Sequence, residues 1–137
     1  VRDPAAVVRF ASEADQPVIE ALLASHRANH RGADDLAALV GDPAGRWLVA
    51  EVGGETVGAA RIALEGVPRP TVLCVVVHRD ARGLGIGAAL VDEIRRSARA
   101  GGHDRIDALA LPGDRETKNL FERAGLTARL IVASGDA

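Results

Sequence analysis

The chain has 137 residues, 47% of them apolar and 2% aromatic, with a formal net charge of −2. That is the size of one domain, residues 1–137, with apolar material for its own core, and the charge balance argues against nucleic acid or an anionic membrane as partner. Cys74 is the only cysteine, which excludes an internal disulfide; with no leader pattern and no run near the ~20 apolar residues that span a bilayer, a cytoplasmic location is expected.

Val7 to Ser12 reads as a first strand. Ser12 then caps a helix, with Asp15 three residues on as a weak capping box. Val18, Ile19, Leu22, Leu23 and His26 lie on one helical stripe. A turn at Gly32 and a short second helix come next, then the loop GDPAG. Arg46 to Leu64 reads as a hairpin turning at Gly53-Gly54. TVLCVVVH, from Thr71, is a near-continuous apolar run of strand length, so it reads as a central strand buried on both faces. A helix carrying Leu90, Val91, Ile94 and Ala98 ends at Gly101-Gly102. RIDALAL is a further strand. Asp114 caps a helix that buries Leu120, Phe121 and Ala124 and stops at Gly125. TARLIVA closes the chain as a last strand. The middle is antiparallel, and the later strand–helix–strand crossovers imply parallel pairing. The fold class is therefore mixed α/β, a sandwich of one domain.

The stretch RGLGIG, from Arg82, sits between the buried strand and the amphipathic helix. The first turn of a helix has backbone N–H groups without partners and the positive end of the helix dipole, so anions bind there. Glycine keeps side chains from blocking a bulky diphosphate and permits unusual dihedrals. Gly83, Gly85 and Gly87 thus suit a pyrophosphate cradle, with Arg82 adding charge or bracing the loop. The alternative is a tight turn that needs glycine for geometry alone. A Walker loop is disfavoured because no lysine comes after the glycines, and a dinucleotide fingerprint because the glycine spacing is wrong.

Arg82-Gly83-Leu84-Gly85-Ile86-Gly87 resembles the Arg/Gln-x-x-Gly-x-Gly/Ala acetyl-coenzyme A motif of the GNAT (GCN5-related) N-acetyltransferases. LPGDRETKNLFERAGL resembles the family's second motif, Asn-x-x-Ala-x-x-Leu-Tyr-Glu-x-x-Gly-Phe. The element order agrees over nearly the whole chain. The resemblance implies a central, mostly antiparallel sheet, splayed in the middle, with helices on both faces. It implies acetyl-CoA as cosubstrate, no metal, and direct transfer of acetyl to an amine of a small molecule or protein. Backbone groups of Val75, Val76 and Val77 would pair with the pantetheine arm, and Val76 would polarise the thioester carbonyl. N–H groups from Gly83, Leu84, Gly85, Ile86, Gly87 and Ala88 would hold the pyrophosphate. Asp114 and Phe121 would line the cofactor. RIDALAL would splay from the central strand and leave a slot for the thioester.

The chain departs from the family at three positions. The usual acid is a tyrosine, here Phe121, and the chain contains no tyrosine. A glutamate base found in some relatives is matched by Leu109. The motif asparagine is Asp114. These departures raise a second function class, an acyl-CoA-binding regulatory module with weak or no catalysis. The remaining catalytic candidates are His78, which ends the central strand, Asp107 and Glu65; each also reads as a solvated polar residue. Cys74 reads as a small core residue rather than an acyl carrier. His26 and His30 have the i, i+4 spacing of a metal pair, but no third ligand is evident. Arg27 and Arg31 would form a basic rim, and Trp47 would wall the pocket or cap the core. Many relatives end with two strands where this chain shows one, and the edge so exposed suits a homodimer.

Overall fold

In the computed structural model, residues 6–25, 45–110, 114–128, 133 and 135–137 are described. The expected second helix, most of the expected last strand, and His26, Arg27, His30 and Arg31 lie outside the described residues.

The elements are β1 (Val7–Phe10), α1 (Gln16–Ala24), β2 (Arg46–Val52), β3 (Glu55–Ala63), β4 (Thr71–Val77), α2 (Ile86–Ala100), β5 (Asp107–Ala108) and α3 (Arg115–Arg123). Single 3₁₀ turns at Glu13–Asp15 and Arg79–Ala81 precede α1 and α2. The sheet order is β1-β2-β3-β4-β5. The first four strands pair antiparallel, and β5 joins β4 in parallel. The mixed, mostly antiparallel sheet expected from the chain order is present.

Each apolar pattern finds its partner. On one face of the sheet, Ile86, Leu90 and Ile94 of α2 and Phe121 of α3 pack with Leu48, Ala60, Ile62, Val72 and Val75. On the other, Ile19, Leu22 and Leu23 of α1 pack with Val49, Ala59, Cys74 and Val76. The sheet is therefore covered on both faces, and all but the last residue of β4 is buried. Gly53 and Gly54 turn the β2–β3 hairpin with φ of 60° and 83°, the left-handed pair that matches the twist of the strands.

The start of the chain is held by charge. The Arg9 guanidinium bridges Asp15 (2.7 and 2.8 Å) and Glu51 (2.6 and 3.0 Å). Asp15 also accepts from the Ser12 backbone N–H at 2.8 Å. Hydrogen bonds from Arg9, then from Ser12, hold the Asp15 carboxyl well below the usual carboxylate range. The Ser12–Asp15 box thus forms, but it opens a 3₁₀ turn ahead of α1.

A bulge sets the shape of the sheet near its β5 edge. In β4, Cys74 pairs with Arg61 and Val72 with Ile62, so Leu73 is an extra residue. A bulge of this kind bends a strand and increases its twist. Leu73 leaves both main cores and packs with Ala63, Val67 and Leu109. The parallel pairing with β5 ends at the same point: it covers Thr71↔Asp107 and Val72↔Ala108, closed by Leu109 N–H donating to Val72 O at 2.9 Å. The strand expected over RIDALAL is thereby corrected to two residues, Asp107–Ala108, among the described ones.

Candidate functional site

The β4-to-α2 connection is built in steps. Val57 is a second extra residue, in β3, since Glu51 pairs with Thr56 and Ala50 with Gly58. Its carbonyl accepts the His78 N–H at 2.7 Å and so anchors the end of β4. The His78 Nδ1 then accepts the Asp80 N–H at 3.1 Å, capping the short turn Arg79–Ala81. That places the neutral ring's proton on Nε2 and commits its lone pair to the cap. Ala81 is buried, and from Arg82 the chain emerges as the glycine loop.

The glycines of this loop have different physical duties. Gly83 and Gly85 have φ of 85° and 75°, and a side chain there would meet nothing within 4 Å. They are needed for backbone conformation and they leave the space before α2 open. Gly87 is helical and buried, and a Cβ on it would collide with Leu120 Cδ1 of α3. Its role is close packing between helices, where the sequence pattern suggests phosphate access. Gly58 does the same on β3, where a Cβ would lie 2.7 Å from Ile86 Cγ2. These two contacts seat the first turn of α2 between β3 and α3.

The N-terminus of α2 carries no side-chain cap and no acidic residue in its first turn. The first intrahelical donor is Ala89, whose N–H reaches Gly85 O at 3.0 Å. The N–H groups of Ile86, Gly87 and Ala88 precede it and are available to a ligand. Ala88 is exposed, as are Arg82, Gly83, Leu84 and Gly85. Arg82 pairs with Glu116 of α3 at 3.2 Å, which braces the loop. An uncapped helix end, open space and a first turn without acidic residues fit a diphosphate, although Glu116 draws off part of the Arg82 charge.

α3 forms the other wall. The Asp114 carboxylate accepts the Thr117 N–H at 3.1 Å, so it caps the helix as expected. Phe121 is 6% exposed and packs in the cluster that holds Val75, Ala81 and Ile86. Among the described residues, β5 pairs with β4 only at Thr71 and Val72, and no described strand pairs on that side with Val75, Val76 and Val77, the residues expected to meet a cofactor arm.

The catalytic candidates are not brought together. His78 lies at the loop end of β4 with Nδ1 engaged. Asp107 sits beside Thr71 at the opposite end and pairs with Arg69 at 3.0 Å, half exposed. Glu65 is exposed in the connection before β4. Leu109 packs against Leu73. Trp47 is half-buried against the α1 side, with the Arg61 guanidinium 6.0 Å from its ring centroid. Among the described residues no group of three His, Cys, Asp or Glu side chains suits a metal ion, and no helix is long and apolar enough to cross a membrane.

Residues 13–126 match the Acetyltransferase (GNAT) family. No curated protein sequence matches the chain significantly. Among solved structures, it is similar to a ribosomal-protein-alanine N-acetyltransferase from Brucella melitensis biovar Abortus 2308. The identity is 25%, the match covers 97% of this chain and 99% of the other, and the TM-score is 0.76. It shares its fold with an aminoglycoside antibiotic 6′-N-acetyltransferase from Acinetobacter haemolyticus, at 15% identity, 96% and 97% coverage and a TM-score of 0.70. A further aminoglycoside N-acetyltransferase, solved in complex with CoA, has the same fold at 13% identity, 96% and 100% coverage and a TM-score of 0.67.

Proposed function

The chain belongs to the GNAT acetyltransferase family, and from that premise we propose that it transfers an acetyl group from acetyl-CoA directly to an amine of a small molecule or protein. The observation that carries this reading is the open, uncapped entrance of α2 at the end of β4, whose β5 side is paired only at Thr71 and Val72 among the described residues. Gly83, Gly85, Ile86, Gly87 and Ala88 present backbone N–H groups to the pyrophosphate, whereas the Leu84 N–H expected to join them donates to Ala81 O at 3.3 Å. Val75, Val76 and Val77 present strand groups to the arm, which lies along β4 beyond its described pairing with β5. Bound there, acetyl-CoA supplies the acetyl group as a thioester, an activated acyl donor.

What this chain's residues do is mostly positional. The strand edge orients the thioester against the acceptor, and a fixed N–H near Val76 polarises its carbonyl oxygen as negative charge develops. The amine nitrogen bonds to the acetyl carbon, the carbon–sulfur bond breaks, and sulfur leaves with the electron pair. The amine's proton passes through water to the departing sulfur, because the His78 Nδ1 lone pair is committed to its cap and Phe121 has no proton to give the thiolate. No metal enters this proposal. The Brucella neighbour's name supports including protein amines in the acceptor class.

A second reading, a CoA-binding module with weak or no transfer, is favoured by one observation. Apolar side chains, Phe121 and Leu109, stand at the two positions where relatives place acid and base, and both are packed. The cytoplasmic location and the homodimer expected from the sequence belong to the same proposal. Calorimetric titration with acetyl-CoA tests the shared premise. Saturable binding at one site per chain is expected; absence of binding overturns both readings.

A further inference from the structure

Positive charge gathers a second time at the end of the sheet away from the glycine loop. Arg95, Arg99, His103 and Arg105 surround a cleft of about 240 Å³, with Ala98, Ile106 and Leu126 as its apolar floor. From Ile86 to Arg99 is about 20 Å of helix at about 1.5 Å per residue, so the cleft is separate from the entrance of α2. Arg105 and Ile106 lead into β5, which pairs with Thr71 and Val72 at the start of β4, whereas the glycine loop follows its end.

The frame of this cleft is fixed by the fold. Gly102 N–H donates to Arg99 O at 3.1 Å and His103 N–H to Ala98 O at 2.9 Å. These bonds set the turn that carries His103, and they satisfy helix-end carbonyls that would otherwise present negative charge to an anion. Arg95 is held against the turn after α3: a Cβ on Gly125 would lie 3.3 Å from one of its guanidinium nitrogens. Asp92 reaches Arg95 at 3.7 Å and is not part of the lining. The side chains of Arg99, His103 and Arg105 make no ion pair or hydrogen bond among the described residues. Arg99 in the last turn of α2 complements the helix dipole, but that needs one cation and not several around one cleft. Like charges held together repel, and an anion between them relieves the repulsion.

The lining sets three arginines against the single carboxylate of Asp104, a surplus of two positive charges with His103 neutral. A phosphate monoester carries about −1.5 to −2 at pH 7, and guanidinium forks match its oxygens. The volume is below the roughly 300–1,000 Å³ of drug-sized sites, and the floor asks for an apolar body. We infer that this cleft is a second anion site, distinct from the one proposed for acetyl-CoA, and that it binds a small organic phosphate monoester through Arg95, Arg99 and Arg105.

The test is an amide NMR titration of the full isotope-labelled chain near neutral pH with phenyl phosphate and, separately, inorganic phosphate. Wild type is compared with Arg99→Gln, Arg105→Gln and Arg96→Gln. All three side chains are exposed, so folding is expected to hold, and the same spectra check it. Arg96 pairs with Glu93 on the same helix and does not line the cleft, so it controls for net charge. Phenyl phosphate should shift the amides of Gly102, His103 and Ile106 saturably and bind more tightly than inorganic phosphate. Losing one charge-assisted hydrogen bond should weaken it roughly 10-fold in Arg99→Gln and in Arg105→Gln, with Arg96→Gln like wild type. Shifts confined to Gly85, Gly87 and Ala88 would put the anion at the α2 entrance alone, overturning the second site and leaving the proposed function intact. Absence of a saturable shift at the cleft, equal weakening in Arg96→Gln, or equal affinity for inorganic phosphate also overturns the inference.

Discussion

Ala88→Glu separates the chemistry of the glycine loop from the stability of the helix it starts. Ala88 is exposed in the first turn of α2, with helical backbone and no acidic neighbour in that turn. A glutamate there is favoured by the helix dipole by about 0.3–1 kcal/mol. Its lower intrinsic helix propensity takes back up to about 0.7 kcal/mol. The two effects nearly cancel, so the melting temperature should stay within about 4 °C of wild type. For a bound diphosphate the same carboxylate is a like charge at contact distance. At about 4 Å one such pair costs about 1 kcal/mol in water and about 4 kcal/mol near a protein surface. At about 1.4 kcal/mol per decade, CoA affinity should fall by roughly 5- to 700-fold. Thermal melts and calorimetric titration measure both quantities on one preparation. A variant that melts like wild type and binds CoA equally well would refute the placement of the pyrophosphate at this helix end. Substitution of Gly85 is a poorer probe, since its φ of 75° strains any side chain put there.

The same geometry predicts other outcomes. Gly87→Ala and Gly58→Ala force a Cβ against Leu120 and Ile86 respectively. Gly58→Ala, which also meets Val76 O, should lower stability by about 1–3 kcal/mol, as overpacked sites do, read as a lower urea midpoint; Gly87→Ala should lower it less, because the Leu120 side chain can turn aside and alanine gains about 1 kcal/mol in a helix. Asp15→Asn tests the charge cluster at β1. Because Arg9 and Ser12 lower the folded-state pKa of Asp15, its stabilisation is fully present above the unfolded value of about 3.9 and is lost as pH falls below it. The variant should be less stable than wild type at pH 7, and the gap should shrink below about pH 4. A gap that widens in acid would contradict the assignment.

The parts of this structure that are legible in the sequence are those set by local pattern. Gly53-Gly54 needs only its two neighbours to turn the hairpin, and Thr71 to Val77 announces a strand covered on both faces by its unbroken apolar run. The uncapped, glycine-rich entrance of α2 is equally local. The hidden parts depend on partners distant in sequence. Gly87 has the same spacing as Gly83 and Gly85, yet its reason is Leu120, 33 positions on. The bulge at Leu73 leaves no mark in an apolar run, because every residue there is buried whichever face it takes. RIDALAL reads as a full strand by composition, but its pairing is cut short where the bulge bends β4 away. His78 reads as a titratable candidate in the sequence, whereas in the fold its ring nitrogen holds the Asp80 N–H.

The central claim, acetyl transfer to an amine, is tested most directly by acceptor-dependent release of free CoA thiol from acetyl-CoA. The panel should span aminoglycosides, polyamines and peptides with free N-termini, with the acetylated product confirmed by mass. The account predicts thiol release above the amine-free rate with at least one class, and a mass gain on that acceptor. Saturable acetyl-CoA binding with no acceptor-dependent release across the panel would contradict it, and would leave the chain as a CoA-binding module.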